Sequence, residues 1–211
     1  MAESPKLRKE MDCVKKSNRH CTKSCPRRLV IDFRAAITPV TARKFYSAIR
    51  RWLEKSDELV LLLDSSGGSV ELSYGLARFV AKLRGRTLAY NIGKCSSSAV
   101  MLFAAARGRV ASETSSFYVH PVSKRIDGEQ TADSLREVLA ELERNTDLTI
   151  RFLAWRTGRK EDLWRRDMAH GRTIMARGAM RMGLVDEIGA FVPQKNDRVV
   201  HIGDDSGIMC A

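Results

Sequence analysis

The sequence predicts an α/β protein built around a mostly parallel β-sheet. Short apolar runs, such as residues 59–63, are typical of buried strands. Stretches with apolar residues at helical spacing alternate with these runs, in units of about 30 residues. Because parallel strands are joined by right-handed crossovers that are usually helical, this alternation favours a wound sheet. The composition, 44% hydrophobic and 29% charged residues, excludes a wholly disordered chain.

Each predicted strand is an apolar run bounded by small or polar residues. Leu29–Phe33 follows a basic segment, and Thr87–Ile92 follows Gly85, a residue typical of a helix end. The run that ends at Val119 is followed directly by His120 and Pro121. The predicted strands are residues 29–33, 59–63, 87–92, 109–111, 117–119 and 184–185.

The predicted helices rest on apolar periodicity and on their first residues. Thr38 and Pro39 are typical of a helix start. The longest amphipathic segment carries Asp133 and Glu137 in its early turns, where the helix dipole favours acids. The predicted helices cover residues 38–53, 70–83, 99–106, 131–155, 160–168 and 176–182.

Charge divides the chain into three parts. Residues 1–28 carry nine basic and three acidic residues, which is half of the net charge of +12. We expect a solvated basic tail there, a single domain over 29–192, and a polar C-terminal tail over 193–211. Binding of nucleic acid or an anionic membrane by the basic tail is the less favoured alternative, and the tail has no aromatic residue to stack on bases.

The five cysteines do not predict a disulfide framework. Their number is odd, and residues 1–28 lack the apolar run of an export signal, so we expect a reduced, cytoplasmic protein. Cys13, His20, Cys21 and Cys25 have spacings that fit none of the usual zinc ligand pairs. We therefore expect no metal and no cofactor.

Two small-residue turns each follow a strand and precede a helix. They are Asp64–Ser69 and Gly93–Ser98, and their backbone N–H groups can stabilise a developing oxyanion. A serine of the second turn is a candidate nucleophile, and His120 is a candidate base. The structural alternatives are a helix cap, an ordinary turn and a structural histidine.

The order of these motifs resembles the proteolytic subunit of the ATP-dependent Clp protease, the ClpP family of serine peptidases. The resemblance covers about residues 29–190. It rests on five stretches in one order, namely Asp64–Val70, Gly93–Ser98, Tyr118–Pro121, Thr157–Gly158 and Ala176–Asp186. It implies a ClpP/crotonase-like spiral of ββα units, from which the long helix near 131–155 protrudes as a handle.

The resemblance also implies a role for individual residues. The family nucleophile falls on Ser97, the general base on His120, and the two oxyanion amides on Gly68 and Ser98. The position of the family acid is Gly171, which has no side chain. Asp167 is the first replacement that we consider, a backbone carbonyl or a water is another, and His170 is a weaker one.

The implied function is that of a serine endopeptidase that hydrolyses unfolded polypeptides through an acyl-enzyme. The family further implies stacked homo-oligomeric rings and an ATP-dependent unfoldase as partner. Because Gly171 replaces the acid, an inactive subunit or scaffold is the main alternative. A crotonase-type acyl-CoA enzyme is less favoured, since no CoA site is recognisable, and so is a Ser-Lys dyad that uses Lys94.

Overall fold

The computed structural model describes residues 26–203. Within this range the chain forms one eight-stranded sheet with the order β6-β5-β3-β2-β1-β8, while β4 pairs with β3 and with β7. All pairs are parallel except β5 with β6. The strands are β1 (Arg28–Arg34), β2 (Glu58–Ser65), β3 (Arg86–Ser96), β4 (Gly108–Ala111), β5 (Ser116–Val119), β6 (Arg172–Met175), β7 (Glu187–Ile188) and β8 (Arg198–Gly203).

The predicted helices are all present, with small shifts at their ends. Thr38 caps the first one through a capping box, and Pro39 is its first residue, as its sequence predicts. The helices are α1 (Pro39–Trp52), α2 (Val70–Lys82), α3 (Ala99–Ala105), α4 (Ala132–Thr157), α5 (Glu161–Ala169) and α6 (Ala176–Arg181). A 3₁₀ turn, Leu53–Lys55, follows α1.

The core lies between the sheet and the helices that pack on it. Every residue of α3 is fully buried, so this short helix fixes the turn that precedes it. The guanidinium and the backbone N–H of Arg109 in β4 donate hydrogen bonds to the Asp186 carboxylate. These bonds connect the sheet to the segment after α6. Arg156 of α4 donates to the carbonyls of Ala104 and Ala106 and so completes the end of α3.

Two predicted boundaries need correction at the edge of the sheet. Residues 198–203, which we expected in a polar tail, form β8 and pair with β1. Arg28, which we placed in the basic tail, begins β1 and is buried in an ion pair with Asp197. This edge strand has no apolar run like those of the predicted strands, because His201 interrupts its apolar residues and only Ile202 is buried. Residues 1–25 and 204–211 lie outside the described residues, and so do the cysteine and histidine positions considered for zinc.

Other strands differ from the prediction for local reasons. Leu184 and Val185 are buried, but their N–H groups donate to the Ala179 carbonyl, so the short strand begins at Glu187 instead. The strand β6 was not predicted from its four residues. The predicted turn Gly93–Ser98 is largely strand, since β3 extends to Ser96. This strand pairs first with β4 and then with β5.

The helix α4 extends two residues beyond the predicted end at Trp155, and its N-terminal half protrudes from the core. Its side chains are buried only from Thr149 onwards, whereas Leu135 and Leu139 are 47% and 56% exposed. Gly158 ends it in a left-handed conformation with φ 70°. Among the described residues no helix is long and apolar enough to cross a membrane.

Candidate active site

The two small-residue segments meet at the carboxyl ends of β2 and β3. A Cβ on Gly67 would lie 2.7 Å from the Ser96 carbonyl oxygen and 2.8 Å from the Ser97 Cβ, and its φ is +90°. Only glycine fits this approach. Ile37 holds the same segment from the other side, because it donates to the Gly67 carbonyl at 2.7 Å and accepts from the Ser69 N–H at 3.0 Å. The contact brings the first turn directly onto the predicted nucleophile.

Ser97 lies on a strained turn between β3 and α3. Its φ is 55°, and it is the one non-glycine residue with positive φ in the described part of the chain. Its N–H donates to the Tyr118 carbonyl at 2.7 Å, so the turn is anchored to β5. Backbone strain of this kind persists only where the surroundings enforce it, and it is common at active sites. A serine in this conformation is presented by a rigid backbone.

Pro121 fixes the orientation of His120. The imidazole Nδ1 lies 2.7 Å from the Pro121 carbonyl oxygen. Since a carbonyl can only accept, Nδ1 carries the hydrogen, and Nε2 of the neutral ring keeps its lone pair. The Tyr118 ring stacks on the imidazole with centroids 5.3 Å apart. This is the tautomer that a general base acting through Nε2 needs.

Ser97 and His120 line one small cavity of about 10 Å³, which has room for about one water molecule. Among the described residues no hydrogen bond joins their side chains in this resting arrangement. The rest of the lining is mainly apolar and comes from α2, α4, α5, the turn before α3 and the segment around His120, namely Val70, Ser98, Val119, Val122, Thr149, Leu153 and Met168. The cavity offers an apolar slot beside the serine.

The structure does not bring Asp167 to His120. Asp167 is buried on α5, where Arg172 donates to its Oδ1 and Arg159 lies 2.7 Å from its Oδ2 in an ion pair. Two guanidinium groups therefore hold the carboxylate away from the imidazole. His170 is exposed and does not line the cavity. The acceptor for Nδ1 is the backbone carbonyl of Pro121.

Gly171 cannot be replaced by an acid without moving Tyr118. Its φ is +64°, and a Cβ there would lie 2.7 Å from the Tyr118 hydroxyl oxygen. The tyrosine side chain thus fills the space beside the glycine. The sequence did not indicate a role for Tyr118 here, and it offered a backbone carbonyl as a replacement for the acid without assigning it to Pro121.

The two predicted oxyanion amides are in different states. No acceptor for the Ser98 N–H occurs within residues 26–203. The Gly68 N–H donates to the Ser98 hydroxyl at 3.0 Å. One of the two donors is free, and the other has an internal partner.

The Cys95 thiol and the Lys94 amine are poor alternatives to Ser97 as nucleophile and His120 as base. Burial raises the pKa of the Cys95 thiol far above its ordinary value, with a smaller contribution from the charge of Asp64, so the thiol stays protonated. Lys94 is exposed and does not line the cavity, which disfavours a Ser-Lys dyad. No group of three or more potential metal ligands among His, Cys, Asp and Glu occurs in the described residues.

Sheet order, handle helix and serine turn together define an α/β protein of the ClpP/crotonase-like fold. The chain belongs to the Clp protease family, since the family's sequence model matches residues 25–191. Among solved structures it is similar to a point mutant of ClpP1 from Listeria monocytogenes, with a TM-score of 0.67 and 17% identity. That match covers 77% of this chain and 91% of the Listeria chain. A search of curated proteins finds no match.

Proposed function

We propose that the protein is a serine endopeptidase that hydrolyses peptide bonds of unfolded polypeptides through an acyl-enzyme on Ser97. One observation carries this proposal. The strained Ser97 and the imidazole of His120, with its Nδ1 hydrogen held by Pro121, line the same cavity beside the free amide of Ser98.

The proposed reaction begins when the Ser97 side chain turns towards His120. His120 Nε2 takes the hydroxyl proton as Ser97 Oγ attacks the peptide carbonyl carbon. The amides of Ser98 and Gly68 stabilise the resulting oxyanion. The imidazolium then protonates the leaving amine, and a water molecule, activated by the neutral imidazole, hydrolyses the ester and frees Ser97.

The carbonyl of Pro121 supplies only part of what an acid would supply. It fixes the tautomer of His120, but it is neutral and cannot balance the charge of the imidazolium. In the best-studied triad, replacing the acid by its amide stabilises the wrong tautomer and costs a factor of about 10⁴. Here the tautomer is correct, so we expect a smaller loss relative to a complete triad.

An assembly is part of the proposal. The outer half of α4 exposes Leu135 and Leu139, which a second copy of the chain can cover. We propose stacked homo-oligomeric rings in the cytoplasm that receive unfolded chains from an ATP-dependent unfoldase. Light scattering at micromolar concentration is the check, and a monomer contradicts this part of the proposal.

The second candidate is a catalytically inactive subunit that serves as a scaffold. It is favoured by Gly171 at the acid position and by the pairing of Asp167 with arginines. This alternative keeps the fold and the assembly but predicts no covalent chemistry at Ser97.

A serine-reactive fluorophosphonate separates the two. In the active protein Ser97 Oγ displaces fluoride from phosphorus and its proton passes to His120, giving stoichiometric labelling. Labelling should vanish in Ser97→Ala and fall at least about a hundredfold in His120→Ala. Ser96→Ala is the matched control, because Ser96 Oγ is buried in the same segment without a hydrogen-bond partner. A folded, assembled wild-type protein that takes no label supports the scaffold instead.

A further inference from the structure

The hydroxyl of Ser98 lies where the proposed reaction needs an empty site. Ser98 is 2% exposed, and its Oγ accepts the hydrogen bond of the Gly68 N–H at 3.0 Å. The same oxygen lies 3.1 Å from the Gly68 carbonyl oxygen, so the hydroxyl can donate back to the same residue. The side chain of Ser98 therefore closes a ring of hydrogen bonds with Gly68.

A second serine keeps this hydroxyl in place. Ser73 is fully buried on α2, and its Oγ lies 2.8 Å from the Oγ of Ser98. The Ser73 Oγ also lies 2.7 Å from the Ser69 carbonyl oxygen, and its single hydrogen serves either that carbonyl or the Ser98 oxygen. Because buried polar groups are costly to leave unpaired, this network fixes the rotamer of Ser98.

We infer that Ser98 is a positioning residue that keeps the oxyanion hole closed in the resting protein. This inference rests on the proposed function. One N–H group donates strongly to one acceptor at a time, so the Gly68 amide can reach a substrate oxygen only after the Ser98 hydroxyl leaves it. The same residue thus offers one donor through its backbone and blocks the other through its side chain.

The block acts unequally on the two states of a substrate. A neutral peptide carbonyl gains little by displacing a neutral hydroxyl, because the two hydrogen bonds are similar in strength. The charged oxyanion of the tetrahedral intermediate gains more, since charge-assisted hydrogen bonds are roughly twice as strong. The hole consequently opens for the transition state and rejects ground-state carbonyl ligands.

Labelling kinetics test the inference. In Ser98→Ala the Gly68 amide is free, so the second-order rate constant for fluorophosphonate labelling should rise about threefold to tenfold, the factor of one neutral hydrogen bond. The melting temperature should fall, because the Gly68 N–H and the buried Ser73 hydroxyl have both lost a hydrogen-bond partner. Ser73→Ala should give a smaller rise, and Ser96→Ala should leave the rate unchanged. An unchanged or lower rate in Ser98→Ala overturns the inference.

A second measurement does not depend on catalysis. Hydrogen exchange at the Gly68 amide, followed in a Ser97→Ala background, should be at least about tenfold faster when Ser98→Ala is added. Equal exchange in the two proteins overturns the inference. A third outcome is faster exchange at Gly68 while the protein with Ser97 intact takes no fluorophosphonate label. In that case Ser98 closes the hole, but the proposed peptidase function is wrong.

Discussion

The two halves of the candidate site are held in different ways. Around Ser97 the backbone itself is fixed, by the close approach of Gly67 and by a hydrogen bond to Tyr118. Around His120 the imidazole has one carbonyl partner and one stacked ring. Asp167, the predicted acid, pairs with two arginines instead of the imidazole. Backbone contacts can thus hold the predicted nucleophile in place without a carboxylate beside the imidazole.

Among changes that leave the Ser97 and His120 side chains in place, Gly67→Ala should damage the nucleophile half most. The added Cβ would lie 2.7 Å from the Ser96 carbonyl oxygen, and the alanine would have to adopt a φ of +90°. The two turns must therefore separate. Separation displaces the Gly68 amide, and loss of one oxyanion donor costs a factor of about 10² to 10³. Fluorophosphonate labelling rates measure the loss.

Gly85→Ala is the matched control for this change, because a Cβ there meets nothing within 4 Å. A Gly67→Ala protein that labels as fast as Gly85→Ala would show that the close approach is not needed.

The acid half should respond in stability rather than in rate. Asp167→Asn leaves the largely buried Arg159 and the half-exposed Arg172 facing a neutral amide, and breaking the buried pair with Arg159 costs about 3–5 kcal/mol. Urea unfolding measures this cost. At a temperature where the variant is folded, the labelling rate should remain close to that of the wild-type protein. A loss of rate near the factor of about 10⁴ known for a missing triad acid would mean that Asp167 acts on His120 after all.

Restoring the acid at its family position should fail. Gly171→Asp places a Cβ 2.7 Å from the Tyr118 hydroxyl oxygen in a backbone with φ +64°. We expect a loss of about 1–3 kcal/mol from the backbone strain and no gain in labelling rate. Gly128→Asp is the control, since φ there is +79° but nothing lies within 4 Å of the Cβ. A faster Gly171→Asp protein would contradict the proposed role of Tyr118.

The smallest effect concerns Glu71, which links α2 to α4 next to the nucleophile half. Hydrogen bonds from its own backbone N–H and from Asn145 and Ser69 hold the pKa of Glu71 below its ordinary value. A lowered pKa means that this contribution to stability is present above the ordinary Glu pKa and is lost as the pH falls through the lowered value. Glu71→Gln should remove that part of the acid dependence of unfolding, so the variant should be less stable than the wild-type protein at neutral pH, and the difference should shrink as the pH falls through the lowered pKa. An identical pH profile in both proteins would show that the link contributes nothing.

Local patterns in the sequence predicted what local physics determines. Thr38 as a cap and the apolar run of β2 depend on neighbours in the chain, and both are found. The fold and the family are confirmed as well, whereas the roles of Ser97 and His120 remain predictions. A backbone carbonyl was among the replacements considered for the acid, but the sequence could not assign it to Pro121, because every residue has a carbonyl and only the ring geometry selects one.

Tertiary packing explains the remaining differences. Asp167 was a reasonable acid from its position, and although Arg159 and Arg172 are near it in the sequence, only the fold shows that both pair with its carboxylate. The strand β8 pairs with β1 across most of the sequence, and no local apolar run marks it. Interactions of this kind become visible only when the strand order is known.

The free half of α4 has a geometric consequence for how this chain can vary. A helix rises about 1.5 Å per residue, so residues 132–144, which precede the contact of Asn145 with Glu71, form an arm about 20 Å long. Inserting or deleting one residue in the arm turns everything beyond it by about 100°, which points Leu135 and Leu139 in a new direction. Changes of seven residues keep their direction nearly constant. Length in this arm is therefore expected to change in whole heptads.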